Sequence, residues 1–218
     1  MNKFLNDIRG TENPISVKNK IINTTIILFL GIALGAFSKY LDLHQADLPG
    51  MLMAIDGALD IHNFLGRFAI WGLIALGISI YSNSAIRASV NVFVFFVGMV
   101  TSYYLYSNYN ADFFPRRYAM IWVGFTIISP VLAFVCWYAK GKSKTAFVLS
   151  ILILAVLFNM TFVYGWAYLE ARSVLELIVY IIGIIVLKRD TVRCSVLMGT
   201  ISIPFAFILD MVIPFHFG

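Results

Sequence analysis

Long apolar stretches alternate with short polar segments along this chain. Each stretch is roughly 20 residues long, the length of helix that crosses a hydrocarbon core about 30 Å thick. Strand-like alternation of apolar and polar residues is absent from these stretches, so the pattern predicts helices rather than strands. Seven spans are predicted, at residues 21–40, 64–81, 88–106, 118–138, 146–168, 174–187 and 194–214. The predicted fold is therefore an all-α, polytopic transmembrane helix bundle of about seven spans.

The polar start of the chain differs from the rest. Residues 1–20 are predicted to form a cytoplasmic tail, and residues 21–218 a single transmembrane domain. The tail lacks the short apolar region and cleavage site of a signal peptide, so the spans themselves are expected to direct membrane insertion. A composition of 61% hydrophobic and 12% charged residues excludes an ordinary soluble globular domain.

Basic residues accumulate in alternate connecting segments. Eleven of the sixteen lysines and arginines lie in the tail and in residues 82–87, 140–144 and 188–193. Lys and Arg favour the cytoplasmic side of membrane helices, so this set is predicted to be cytoplasmic, with the N-terminus inside and the C-terminus outside. The net charge of +5 follows from this distribution and predicts no nucleic-acid partner.

The largest polar segment between spans is residues 42–67, which contains four aspartates, two histidines and one arginine. Pro49 and Gly50 interrupt the chain there, and residues 51–62 then predict a short amphipathic helix. This helix is expected to lie on the outer interface or to re-enter the membrane.

A continuation of that helix toward the second span would place Asp56, Asp60 and Arg67 on one stripe, together with Asn63. Two interpretations are open. The stripe faces outside water, with the Arg67 side chain extended to the interface, or it lines a cavity that opens outward.

Two further positions carry charge on the predicted outer side. Arg116 and Arg117 run against the cytoplasmic bias of basic residues, so they require partners: acidic side chains such as Asp112, lipid headgroups or an anionic substrate group. Asp210 lies in the last span, where an ionisable residue faces a cavity, a partner or interfacial water.

Small and polar residues within the spans predict helix contacts. Gly31 and Gly35 form a GxxxG pattern, which allows a second helix to approach closely. Asn91, Asn159 and Glu176 are predicted to make interhelical hydrogen bonds.

No motif indicates a cofactor, a metal site or a catalytic residue. His44, His62 and His216 accompany the outer aspartates, but their spacing matches no metal-binding pattern. A GxSxG motif is also absent. The sequence therefore favours a protein that is not an enzyme.

The segment that begins with YYLY and continues through FFPRRYAMIWVGFTIISPVLAFVCWYAKGK resembles a bacterial family of polytopic membrane proteins of unknown function. The matching residues, over residues 30–140, are Tyr103, Tyr104, Trp122, Val123, Gly124 and Pro130. This resemblance implies a bacterial cytoplasmic membrane and no specific activity. In size and in its polar loop after the first span, the chain is also similar to the substrate-binding components of vitamin transporters, although those usually have six spans.

Three functions are compatible with these patterns. The first is binding or transport of a small polar or anionic solute through an outward-facing cavity, and its predicted solute-binding residues are Asp56, Asp60, Arg67, Arg116, Arg117 and Asp210. The second is a partner or scaffold subunit for another membrane protein, without a ligand of its own. The third is an outer-leaflet enzyme that acts on a lipid-linked substrate. Membrane lipids are expected partners in every case.

Overall fold

The structure is a computed structural model that describes residues 3–10, 15–45, 47–111 and 115–212. Asp112 and His216, named above, and the last two residues of the predicted span 194–214 lie outside the described residues. The described helices and strands are α1 (Lys3–Ile8), α2 (Val17–Leu43), α3 (Gly50–Leu59), α4 (Ile61–Gly66), α5 (Phe68–Ile80), α6 (Ala85–Ala111), α7 (Arg116–Tyr138), α8 (Lys144–Thr161), β1 (Phe162–Tyr164), β2 (Leu169–Ala171), α9 (Val174–Val186) and α10 (Val192–Val212).

Five of the described helices are long and apolar enough to cross a membrane: α2, α6, α7, α8 and α10. The chain is a multi-pass helical membrane protein, as its composition predicts. Each of the seven predicted spans contains a helix, but α5 and α9 have only 13 residues each. Because about 20 residues are needed for a full crossing, the count of seven spans and the orientation stay predictions.

The fifth predicted span is wrong at its C-terminal end. Helix α8 ends at Thr161, and the residues that follow form an antiparallel hairpin in which Phe162 pairs with Ala171 and Tyr164 with Leu169. Phe162 is the C-cap residue of α8 and already has the extended backbone of the hairpin. The ring of Tyr168 lies where a side chain at position 165 would be, so a larger residue there would displace that ring.

The continuous polar stripe predicted within residues 42–67 is also wrong. Asp60 has φ 55° and ψ 46°, a left-handed conformation that ends α3 and separates it from α4. Aspartate tolerates this region better than most residues, because its short side chain hydrogen-bonds locally. A second break follows at Arg67, whose backbone is extended. Asp56, Asp60 and Arg67 therefore lie on three different segments.

The described residues divide into two compact units. The first unit contains the described parts of residues 1–10, 58–77 and 138–218, and the second contains those of residues 11–57 and 78–137.

Close packing of α2 against α6 organises the second unit. A side chain at Gly31 or Gly35 would collide with the main-chain carbonyl of Phe95 or Met99. From the opposite helix, a Cβ at Gly98 would lie 2.8 Å from the carbonyl oxygen of Leu28. The close helix approach predicted from the GxxxG pattern is thus confirmed. Asn91 also links these helices, because it accepts a 2.9 Å hydrogen bond from the Thr24 hydroxyl.

Helix α8 is the centre of the first unit and packs against α9 and α10. Ala155 and Phe158 of α8 form a buried cluster with Ala206 of α10. The Asn159 amide donates a 2.9 Å hydrogen bond to the carbonyl of Ala206, which confirms the predicted interhelical role of this asparagine. Apolar and polar contacts together hold the C-terminal half of α10 against α8.

Candidate functional site

A cluster of charged side chains in the first unit is the strongest candidate site. It is built around Glu176, which lies in the first turn of α9 and is fully buried at 0% exposure. An ionised carboxylate without partners would be costly at such a position, so its contacts determine what the site can do.

The start of α9 holds the Glu176 carboxylate in place. Ser173 is the N-cap residue, and its hydroxyl accepts a 3.1 Å hydrogen bond from the Leu175 amide. The same hydroxyl donates to Oε2 of Glu176. Thr161 at the end of α8 donates a 3.2 Å hydrogen bond to the Glu176 main-chain carbonyl. The helix cap therefore fixes the carboxylate of Glu176, and the neighbouring helix fixes its main chain.

Arg67 provides the opposite charge. Its Nη1 atom donates a 2.8 Å hydrogen bond to Oε1 of Glu176, and its side chain is 25% exposed. The guanidinium thus binds a fully buried carboxylate and is itself partly exposed to solvent. The interhelical hydrogen bond predicted for the Glu176 side chain is therefore wrong in its partner, because Arg67 lies between α4 and α5 and not within a helix.

The local fold around α4 sets the direction of the Arg67 side chain. The Arg67 amide donates a 3.2 Å hydrogen bond to the carbonyl of Phe64, which closes α4. The buried indole of Trp71 donates a 2.8 Å hydrogen bond to the carbonyl of Leu65. These bonds hold the turn between α4 and α5, and Arg67 lies in that turn.

Asp60 lies on the exposed side of Arg67. Its Oδ2 atom lies 3.6 Å from Nη2 of Arg67, which is an ion pair but longer than a direct hydrogen bond. Asn63 donates a 2.7 Å hydrogen bond to Oδ1 of Asp60, and His62 Nε2 lies 3.5 Å from that oxygen. The Asp60 side chain is 43% exposed, so water weakens its attraction to Arg67.

A second arginine adds positive charge beside this pair. Arg172 follows the hairpin, and its amide donates a 2.9 Å hydrogen bond to the carbonyl of Thr161. Burial lowers the pKa of the Arg172 guanidinium, the nearby charge of Arg67 lowers it further, and Glu176 opposes both effects. Two guanidinium groups and two carboxylates of the described residues therefore share one small region.

The structure brings two of the six predicted solute-binding residues together, namely Asp60 and Arg67. Asp210, also in the first unit, is half-buried on α10. Burial of the Tyr164 hydroxyl in the hairpin, and secondly the charge of Asp210, raise the pKa of Tyr164 to about 12.

The other three predicted residues belong to the second unit. Asp56 is buried on α3, and Arg116 and Arg117 are exposed in the first turn of α7. The convergence of all six residues on one cavity stays a prediction.

The contact between Ser173 and Glu176 has a local sequence signature that is independent of hydropathy. S-x-x-E immediately before an apolar run is a capping box, which marks the first turn of a helix. It places the Glu176 side chain next to the Ser173 hydroxyl. It does not reveal that Arg67 would be the second partner, because that contact depends on tertiary packing.

No family model, curated protein or solved structure matches this chain. The site is therefore interpreted from its own geometry.

Proposed function

We propose that this protein binds a small anionic solute at Arg67, from the outer side of a bacterial cytoplasmic membrane. The observation that carries the proposal is the unequal use of the two amino groups of Arg67. Nη1 is held at 2.8 Å by the buried Glu176, whereas Nη2 faces the carboxylate of Asp60 at 3.6 Å.

This arrangement supports solute binding because Nη1 of Arg67 is held firmly, whereas the ion pair at Nη2 is longer and half-exposed. Glu176 fixes the guanidinium plane, so little side-chain freedom is lost when a second anion arrives. An incoming carboxylate or phosphate then needs only to replace the half-exposed Asp60 at Nη2. Arg172 contributes a second positive charge that favours an anion at the same place.

In this proposal Asp60 competes with the solute for Nη2 of Arg67. Transport of the bound solute across the membrane would extend the same function.

The proposal is tested by thermal unfolding of the purified protein in detergent, with succinate as the anionic probe and succinamide as its neutral match. Succinate is expected to raise the unfolding temperature and succinamide to leave it unchanged. Asp60→Asn removes the competing charge, keeps a residue that tolerates the left-handed backbone, and leaves Arg67 paired with Glu176. We expect it to lower the succinate concentration for half-maximal effect by about twofold to fivefold, the equivalent of a surface ion pair.

The charge-free pair Arg67→Gln with Glu176→Gln removes the site without leaving a buried charge behind. This double variant is expected to fold and to lose the response to succinate. Arg193→Gln, an exposed charge of α10, is the matched control and should respond as the wild type. Equal responses to succinate and succinamide, or a full response in the double variant, would refute the proposal.

A further inference from the structure

A basic cavity lies in the first unit between the loop that joins α7 to α8 and the loop that joins α9 to α10. Its volume is about 580 Å³. Five of its lining residues are basic and one is acidic, namely Lys140, Lys142, Lys144, Lys188, Arg189 and Asp190. Both loops belong to the set that is predicted to be cytoplasmic.

Arg189 builds one wall of this cavity. Its guanidinium donates hydrogen bonds of 2.6 Å to the carbonyl of Gly141, 2.8 Å to that of Ala139 and 2.6 Å to that of Ala146. A further bond of 2.7 Å reaches the hydroxyl of Ser150. Arg189 therefore holds the two loops together, and its charge remains next to the cavity.

Lys140 also binds main-chain carbonyls beside the cavity. Its ammonium donates hydrogen bonds of 2.7 Å to the carbonyl of Val186 and 3.0 Å to that of Lys188. These bonds tie the start of the α7–α8 loop to the end of α9. Two of the five basic side chains thus shape the cavity.

The other three basic side chains are free to bind a ligand. Lys142, Lys144 and Lys188 are exposed, and within the described part of the chain their ammonium groups have no hydrogen bond or ion pair. Three unpaired cations around one cavity repel each other, so a multivalent anion is favoured there. A phosphate group offers several acceptor oxygens for such a set.

An apolar groove of about 460 Å³ begins at the same place and follows α9 and α10. Lys188 lines both the cavity and the groove. The walls of the groove are mostly aliphatic, with Ile184, Ile185, Val192, Val196 and Ile203 among its residues. A hydrocarbon chain fits such a groove, whereas a small soluble anion gains nothing from it.

We propose that the cavity and the groove together bind one anionic phospholipid, with its phosphate among Lys142, Lys144 and Lys188 and an acyl chain between α9 and α10. Charge complementarity selects the headgroup, and continuity with the groove selects a lipid over a free phosphate ion. Basic pockets between membrane helices on the cytoplasmic side are suited to anionic headgroups.

The test measures thermal unfolding of the full chain in detergent, at constant ionic strength, with three probes: dioctanoyl phosphatidylglycerol, dioctanoyl phosphatidylcholine and inorganic phosphate. Phosphatidylglycerol is expected to reach half-maximal stabilisation at a concentration about tenfold below that of phosphatidylcholine. Inorganic phosphate is expected not to reproduce this effect. In the triple variant Lys142→Gln, Lys144→Gln, Lys188→Gln the two lipids should become equivalent.

Two further variants separate charge from shape. The control with Lys3→Gln, Lys18→Gln and Arg193→Gln removes three exposed charges outside the cavity and should keep the preference for phosphatidylglycerol. Gly199→Phe fills the groove from a position where a Cβ meets nothing within 4 Å, and should weaken phosphatidylglycerol binding. Equal effects of the two lipids on the wild type, a preference that survives the triple variant, or full reproduction by inorganic phosphate would overturn the proposal. Unchanged lipid binding in Gly199→Phe would do so too.

Discussion

Arg67 donates a 2.8 Å hydrogen bond to Glu176, a residue 109 positions later in the chain. The contact joins the turn before α5 to the first turn of α9. Because Glu176 is fully buried and Arg67 is partly exposed, the pair connects the interior of the first unit with its polar edge. Both the stability of this unit and the proposed solute site depend on it.

Breaking this pair from one side should be more harmful than removing it altogether. Glu176→Gln or Arg67→Gln alone leaves one charge without its partner, and we expect either to lower the free energy of unfolding by about 3–5 kcal/mol. The apolar double variant Arg67→Met with Glu176→Leu should recover most of that loss. Thermal unfolding in detergent measures the three variants, and a double variant as unstable as the sum of the singles would contradict this expectation.

The close approach of α2 and α6 predicts a strong position effect for glycine substitutions. Gly35→Ala introduces a Cβ against the main-chain carbonyl of Met99, which cannot move aside, and should lower the free energy of unfolding by about 1–3 kcal/mol. Gly124→Ala is the matched control, because a Cβ there meets nothing within 4 Å. The control should be neutral or more stable by up to about 1 kcal/mol, owing to the higher helix propensity of alanine. Similar losses at both positions would argue against the packing described above.

The Arg189 guanidinium should be irreplaceable by lysine. An ammonium group cannot reach the carbonyls of Ala139, Gly141 and Ala146 at once, since its donors diverge from one atom. Arg189→Lys is expected to cost about 3 kcal/mol, or about 6–12 °C in unfolding temperature for a chain of this size. Arg193→Lys, which changes an exposed side chain four positions later, provides the control. Protease accessibility of the α7–α8 loop should rise in Arg189→Lys alone.

Lys140 should lose its proton at lower pH in the folded protein than in the unfolded chain. Burial lowers its pKa below the ordinary 10.5, the charges of Arg189 and Arg9 add to this, and Asp190 opposes it. Between the lowered value and 10.5 the unfolded chain binds more protons, so this group makes folding more favourable as pH rises through that window.

Amine-selective labelling followed by mass spectrometry tests this pKa shift directly. The labelling midpoint of Lys140 in folded protein should lie at lower pH than that of the same lysine in denatured protein. Bound phosphatidylglycerol should move the folded midpoint upward, because an anion favours the charged form. Identical midpoints in folded and denatured protein would rule out the shift.

The class of the protein and the approximate location of its helices follow from local sequence properties. Apolar runs predict spans because the length and composition of a local segment decide whether it can cross a bilayer, and each of the seven predicted ranges contains helical residues. GxxxG predicted close packing at Gly31 and Gly35 because the absence of a side chain is likewise a local property.

The contacts between charged groups, in contrast, depend on how the helices pack. The left-handed backbone of Asp60 separates residues that a continuous helix would have aligned, and packing of the first unit brings Arg67 to Glu176. The hydropathy pattern likewise does not predict the carbonyl contacts of Arg189. Every residue has a main-chain carbonyl, and only the packing brings three of them to this guanidinium. Ion pairs and hydrogen bonds act over a few ångströms between residues that are far apart in the chain, so their partners follow from packing and not from local composition.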